Sequence, residues 1–255
     1  MTRKVFAAGF LAICAVVAVA TLVLHRPATV AVETAGSPAA DDLVGYGRLL
    51  VTRTFDKIGP DTDTPFAGNR LACQNCHLDG GLKHSGLPLV GVAGTYPKLS
   101  VRSGRTISLA ERIDECMTRS MNGRKLPENS REMAAFIAYI RSLDGPAVPQ
   151  PAAPSPAQPA DATRGAAVFA QVCATCHQPD GLGQRAAQGY AFPPLWGPDS
   201  FNDGAGMDHF ERSVGFIRRN MPRGVDPSNP QLTLQQAWDV AAFLQSKPRP
   251  HYQGR

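Results

Sequence analysis

Apolar residues recur at helical spacing in two stretches some hundred residues apart, and start and stop signals frame each stretch. In "NSREMAAFIAYIRSLDGP", Asn129 to Pro146, the stripe is Met133, Phe136, Ile137 and Ile140; Asn129 with Glu132 reads as a capping box, and Gly145-Pro146 closes the run. In "TLQQAWDVAAFLQSKP", Thr233 to Pro248, Thr233 and Gln236 take the capping role and the stripe is Ala237, Val240, Ala241 and Leu244. Upstream of each lies a plausible partner helix, "GYGRLLVTRTF" from Gly45 and "TRGAAVFAQV" from Thr163, with small residues suited to close packing. Ser108 followed by Glu111 starts a further helix near Leu109, and "LAERIDECMTRSM" continues it with no breaker before Asn122-Gly123. The pattern predicts an all-α chain built as an internal repeat, hence two related domains.

The segment between the repeats, "DGPAVPQPAAPSPAQPAD", is rich in Pro and Ala, a composition that favours an extended spacer over a packed core. The expected division is a first domain over 41–145, a linker over 146–160 and a second domain over 161–248. Residues 1–31 read differently. A basic start precedes an unbroken apolar run from Val5 to Leu24, closed by His25 and Arg26, which marks an export signal or an uncleaved membrane anchor. Cys14 inside that run reads as an apolar filler. The body of the chain is therefore expected outside the cytoplasm, in the periplasm.

The formal charge of +5 falls to +2 once Arg3, Lys4 and Arg26 are set aside with the export segment, which gives no footprint for nucleic acid. Its distribution matters more. From Lys98 to Lys125 there are seven Lys and Arg residues against three acids, Glu111, Asp114 and Glu115, so an anion would be drawn to this region.

Two pentapeptides supply the chemistry. "CQNCH" (Cys73, Cys76, His77) and "CATCH" (Cys173, Cys176, His177) are both C-x-x-C-H, placed 100 residues apart. Two thiols three residues apart form thioethers to the vinyl groups of a haem, and the adjacent His binds the iron from below. The chain is thus expected to carry two covalently bound haem c groups in two cytochrome c-type domains. Each haem would supply apolar volume that so small a domain lacks, with long loops wrapped round it.

The residue above each iron sets its reactivity. In the second domain Met207, His209 and Met221 are available, and Met221 is favoured: it sits in "FIRRNMPRG", 44 residues after His177, where a helix gives way to a Met-Pro loop. In the first domain Cys116, Met117, Met121 and His84 are available. The repeat register favours Met121, also 44 residues after its histidine. Helix geometry opposes Cys116 to Met121, because at 100° per residue they are rotated about 140° apart and cannot both face one iron. Arg112, Cys116 and Ser120 share one stripe, so a thiolate at Cys116 would have a guanidinium and a hydroxyl one turn away on either side.

Two exported C-x-x-C-H domains, a lone Cys in "RIDECMTRSMNG" and a Met in "RRNMP" resemble the dihaem thiosulfate dehydrogenases, whose first domain is similar to the Cys-ligated haem domain of the sulfur-oxidising cytochrome complex. The resemblance implies His77 and Cys116 as ligands of a catalytic haem and His177 and Met221 as ligands of an electron-transfer haem. It implies Arg102, Arg112 and Ser120 as pocket residues beside Cys116. Some members carry an exchangeable Lys beside the Met; Asn220 stands in that place here. The implied activity couples two thiosulfate to tetrathionate, with electrons passing from the first haem through the second to a small acceptor protein such as a monohaem cytochrome c. Two other readings compete: a dihaem electron carrier with Met121 over the first iron, and a haem subunit of a sulfur-oxidising or respiratory complex.

Overall fold

Two glycines explain how the helices pair. The computed structural model describes residues 40–186 and 189–254, and the predicted export or anchor segment lies outside them. In the first lobe helix α1 (Ala40–Thr52) packs on helix α4 (Arg131–Ser142), and in the second α5 (Ala162–Val168) packs on α8 (Leu234–Gln245). A Cβ on Gly47 would stand 2.0 Å from the Ala135 carbonyl oxygen, and one on Gly165 would stand 1.9 Å from that of Asp239. Both crossings are therefore backbone against backbone, where no flexible side chain can yield. Gly47→Ala and Gly165→Ala are each expected to cost about 2 kcal/mol or more by forcing the helices apart, read as a lower midpoint of thermal unfolding by circular dichroism.

The remaining elements complete the repeat. In the first lobe, α2 (Thr54–Ile58) leads to a 3₁₀ turn at Cys73–Asn75, then to a two-residue ladder of β1 (Lys98–Leu99) with β2 (Thr106–Ile107), then to α3 (Leu109–Arg119). In the second, α5 runs through a π-helical turn, Phe169–Cys173, into α6 (Ala174–His177), so the C-x-x-C-H segment is itself helical there. The antiparallel pair β3 (Gln184–Ala186) and β4 (Gly189–Phe192) and helix α7 (Phe210–Asn220) precede α8. The chain is mostly helical; the two short ladders are the departure from the all-α expectation, and both tie down irregular loops. Residues 146–160 carry neither helix nor strand, yet the Pro154 carbonyl accepts from Trp238 Nε1 and the Gln158 N–H donates to Gln235. Among the described residues no helix is long and apolar enough to cross a membrane.

The predicted stripes form the cores. Met133, Phe136 and Ile140 are buried with Leu50, Met117 and Met121; Ala237, Val240 and Ala241 are buried with Val168 and Val214. The start signals hold with one correction. Ser108 and Glu111 form the predicted capping box on α3, and Thr233 and Gln236 form theirs on α8. Helix α4 instead begins one residue later than predicted. Its cap is Ser130, whose Oγ accepts from the Met133 N–H, and Glu132 is drawn off to accept from Tyr46.

Candidate active site

Helix α3 carries Cys116, and its C-terminal end is held by both lobes. An α-helix leaves its last carbonyls without intrahelical partners. Here the Met117 carbonyl accepts from the Gly123 N–H, and the Thr118 carbonyl accepts from Asn202 Nδ2. The Arg119 carbonyl accepts from the Asn202 N–H, and the Ser120 carbonyl from Asn69 Nδ2. Asn69 and Asn202 are 0% and 4% exposed, and Asn69 also donates to the Ser200 carbonyl. The second-lobe segment 199–206 thus wraps the end of α3, and the buried amides of Asn69 and Asn202 fix the turn that follows Cys116. Nearby, Asn220, 1% exposed, exchanges hydrogen bonds with Ser85 of the first lobe.

The two histidines are prepared in the same way. His77 Nδ1 lies 2.6 Å from the Leu87 carbonyl oxygen and His177 Nδ1 lies 2.8 Å from that of Pro193. A carbonyl only accepts, so Nδ1 carries the proton in each ring and Nε2 keeps its lone pair, the state an iron ligand needs. Cys173, Cys176, His177 and Met221 line one largely apolar cavity of ≈ 580 Å³, with Val172, Leu195, Ile217 and Val240 on its walls. Those residues fit a haem: two thiols for attachment, a fixed imidazole, a thioether, and an apolar jacket. Met207 also lies on that wall, whereas His209 is turned to Arg102. Gln74, Asn75 and Cys76 of the first C-x-x-C-H segment form part of the same wall, so the first motif borders the cavity of the second.

In the first lobe Cys116 stands close to His77, Cys73 and Cys76. Met121 is 3% exposed and packed in the first core. Burial alone would raise the Cys116 thiol, but its charged surroundings, Arg112 foremost, outweigh it and hold it down at about 7. Burial raises Cys73 to about 11 and Cys76 to about 12, so Cys116 is the thiol set apart for ionisation. Arg112 in turn is raised, first by Cys116. Its Nη1 lies 3.2 Å from Glu115, and Tyr96 lies near enough to feel its charge.

The other predicted residues gather here too. Arg102 donates from Nη1 to the Gly204 carbonyl at 2.8 Å, and its Nη2 lies 2.9 Å from His209 Nε2. Burial, then Arg119 and Arg112, lower its pKa. Ser120 caps α3, and its hydroxyl makes no hydrogen bond within the described residues. Of the other cations in the run from Lys98 to Lys125, Arg105 pairs with Glu111 and Arg124 covers Phe66. Arg119 instead reaches the Gly204 carbonyl and stacks on Tyr252. His84 is exposed, and His251 pairs with Asp203. The sequence reading missed Tyr96, Glu115 and Arg212 as neighbours of Cys116. Glu115 alone carried a local signal, since it stands three residues from Arg112 on α3.

Comparison with known proteins follows the same division. Residues 63–144 match the family model "SoxA/TsdA, cytochrome c domain" and residues 162–248 match "Cytochrome c". The chain is 40% identical over 212 residues to the thiosulfate dehydrogenase of Allochromatium vinosum, covering 75% of this chain and 76% of that protein. It is 40% identical over 222 residues to that of Stutzerimonas stutzeri, covering 83% and 69%. The solved structure of thiosulfate dehydrogenase (TsdBA) from Marichromatium purpuratum superposes with a TM-score of 0.75 at 32% identity. That match covers 86% of this chain and spans 49% of the solved one, about half its length.

Proposed function

The chain belongs to the thiosulfate dehydrogenase family, and on that footing we propose that it joins two thiosulfate dianions into one tetrathionate dianion, releasing two electrons, at Cys116. It is an oxidoreductase acting on thiosulfate and carries two covalently bound c-type haems. The proposal assigns haem attachment to Cys73, Cys76, Cys173 and Cys176, and iron ligation to His77 with Cys116 and His177 with Met221. One observation carries it: Cys116 stands beside His77 with Arg112 next to it, and among the described residues it is the thiol whose pKa is lowered, to about 7. When bound, the haems supply one-electron acceptance, and the first motif's place on the wall of the second motif's cavity supports a route from the first haem through the second to a small acceptor such as a monohaem cytochrome c. The segment over 1–31 would deliver the enzyme to the periplasm, cleaved or as an anchor.

The chemical difficulty is to bring two dianions together, which requires fixed positive charge in a site with little water. Arg112 binds the sulfonate of the first thiosulfate and the Ser120 hydroxyl donates to it. The Cys116 sulfur then forms a bond to the outer sulfur of that thiosulfate as two electrons leave. The second thiosulfate attacks that outer sulfur, the new sulfur–sulfur bond completes tetrathionate, and Cys116 departs as the thiolate it began as. Tetrathionate reduction is the same sequence reversed at the same residues.

The test is stoichiometric. The purified holoprotein, given thiosulfate and ferricyanide, is expected to reduce two ferricyanide for each tetrathionate formed, read by absorbance and ion chromatography. Reduction of ferricyanide with sulfite or sulfate as the product would sink the coupling reaction, and no reduction at all would favour a carrier role.

A further inference from the structure

Resting on this two-thiosulfate reading, we propose that the second thiosulfate is held across the lobe boundary, by Arg212 of the second lobe together with Arg102 of the first. The sequence gives no sign of it, because Arg212 lies on α7, far along the chain from Cys116. The fold brings it in by the wrapped segment that secures α3. Arg102 and Arg119 reach out of the first lobe to the Gly204 carbonyl, and Arg102 also meets His209. Arg212 reaches back to the Gly206 carbonyl at 3.3 Å. Three guanidiniums therefore clasp one turn of the second lobe from two sides.

The clasp leaves donors to spare. A guanidinium has five N–H donors and never accepts, so the Arg102–His209 contact makes His209 Nε2 the acceptor and fixes the Arg102 fork. Each of these arginines spends its recorded bonds on neutral oxygen or nitrogen, and among the described residues none has a carboxylate within ion-pair distance. Arg112 differs, being committed to Glu115 beside the sulfur. Arg212 lies near enough to Arg112 and Cys116 to feel both, with burial the larger influence on it.

Charge divides the site accordingly. Arg112 serves the anion at the sulfur, while its own charge is matched by Glu115. Like charges packed this closely repel, and a dianion seated between Arg102 and Arg212 removes the repulsion as it binds. Seated there, an incoming thiosulfate meets guanidiniums that hold no carboxylate, on the side of Arg212 that is near Arg112 and Cys116. The two lobes must then be docked for turnover, since each contributes one arm of this outer subsite.

The experiment compares the holoprotein with Arg212→Gln and Arg212→Lys in initial-rate assays over a range of thiosulfate, with ferricyanide as acceptor. We expect Arg212→Gln to raise the KM about tenfold or more, the loss of one charged hydrogen bond, with a smaller fall in kcat. Arg212→Lys should recover part of that loss. The electron paramagnetic signature of the thiolate-ligated first haem should stay unchanged in both, because Arg212 touches the substrate and not the ligand set. A KM within about twofold of the parent in Arg212→Gln overturns the inference while leaving the parent's activity standing. A raised KM with an altered thiolate signature also overturns it, since the effect would then be one of packing. A parent that forms no tetrathionate removes the two-thiosulfate reading and this inference with it.

Discussion

Cys116→Gly is expected to abolish tetrathionate formation, by roughly a thousandfold or more, the scale seen when a covalent nucleophile is removed, while both haems stay attached. Attachment depends on Cys73, Cys76, Cys173 and Cys176, and their helical and 3₁₀ segments do not involve Cys116. The end of α3 should also survive, since its carbonyls are held by Asn69, Asn202 and Gly123 through the backbone of residues 117–120. Loss of activity therefore reads out the sulfur itself. Two measurements check it on one sample: pyridine haemochrome absorbance for two haems per chain, and the disappearance of the thiolate signature in the electron paramagnetic spectrum. An active Cys116→Gly enzyme would move the chemistry to another residue. An unchanged spectrum in the variant would put Met121 over the first iron instead.

What the sequence made legible was whatever is local. The apolar stripes, two capping boxes and the opposition of Cys116 to Met121 all follow from residues within a few turns of one another, and local geometry decides them. The misplacement at α4 is instructive because Asn129 and Ser130 are both good caps. The choice between them fell to tertiary contact, when Tyr46 took Glu132 from the capping role. The site was legible only on its first-lobe side. Arg102, Arg112 and Ser120 sit near Cys116 in the chain, and the resemblance carried them. Arg212 and the buried asparagines that fix α3 come from contacts far along the chain, 51 residues for Asn69 with Ser120 and 84 for Asn202 with Thr118, and an Asn that closes a helix end looks in sequence like any polar loop residue. Arg119 shows the same blindness from the other side: in sequence it is one of a run of cations with no partner marked, and the second lobe turned it into a clasp.

Arg112→Gln is expected to lower kcat/KM by about a hundred- to a thousandfold, the range for removing a charged donor aimed at a reacting anion. The guanidinium does two things at once. It is the leading influence that offsets burial at Cys116, and the proposed mechanism gives it the sulfonate of the first thiosulfate. Without it burial is left to raise the thiol, so the thiolate fraction at neutral pH falls and the first anion loses its anchor together. Glu115→Gln separates these effects from simple damage to α3. Glu115 pairs with Arg112 and opposes ionisation of Cys116, so its neutral isostere should leave the KM for thiosulfate unchanged or lower it. Parallel losses in both variants would mean that the helix surface and not the charge matters. Opposite responses, with the thiolate signature weakened only in Arg112→Gln, would identify Arg112 as the residue that makes Cys116 a nucleophile and gives the first substrate its seat.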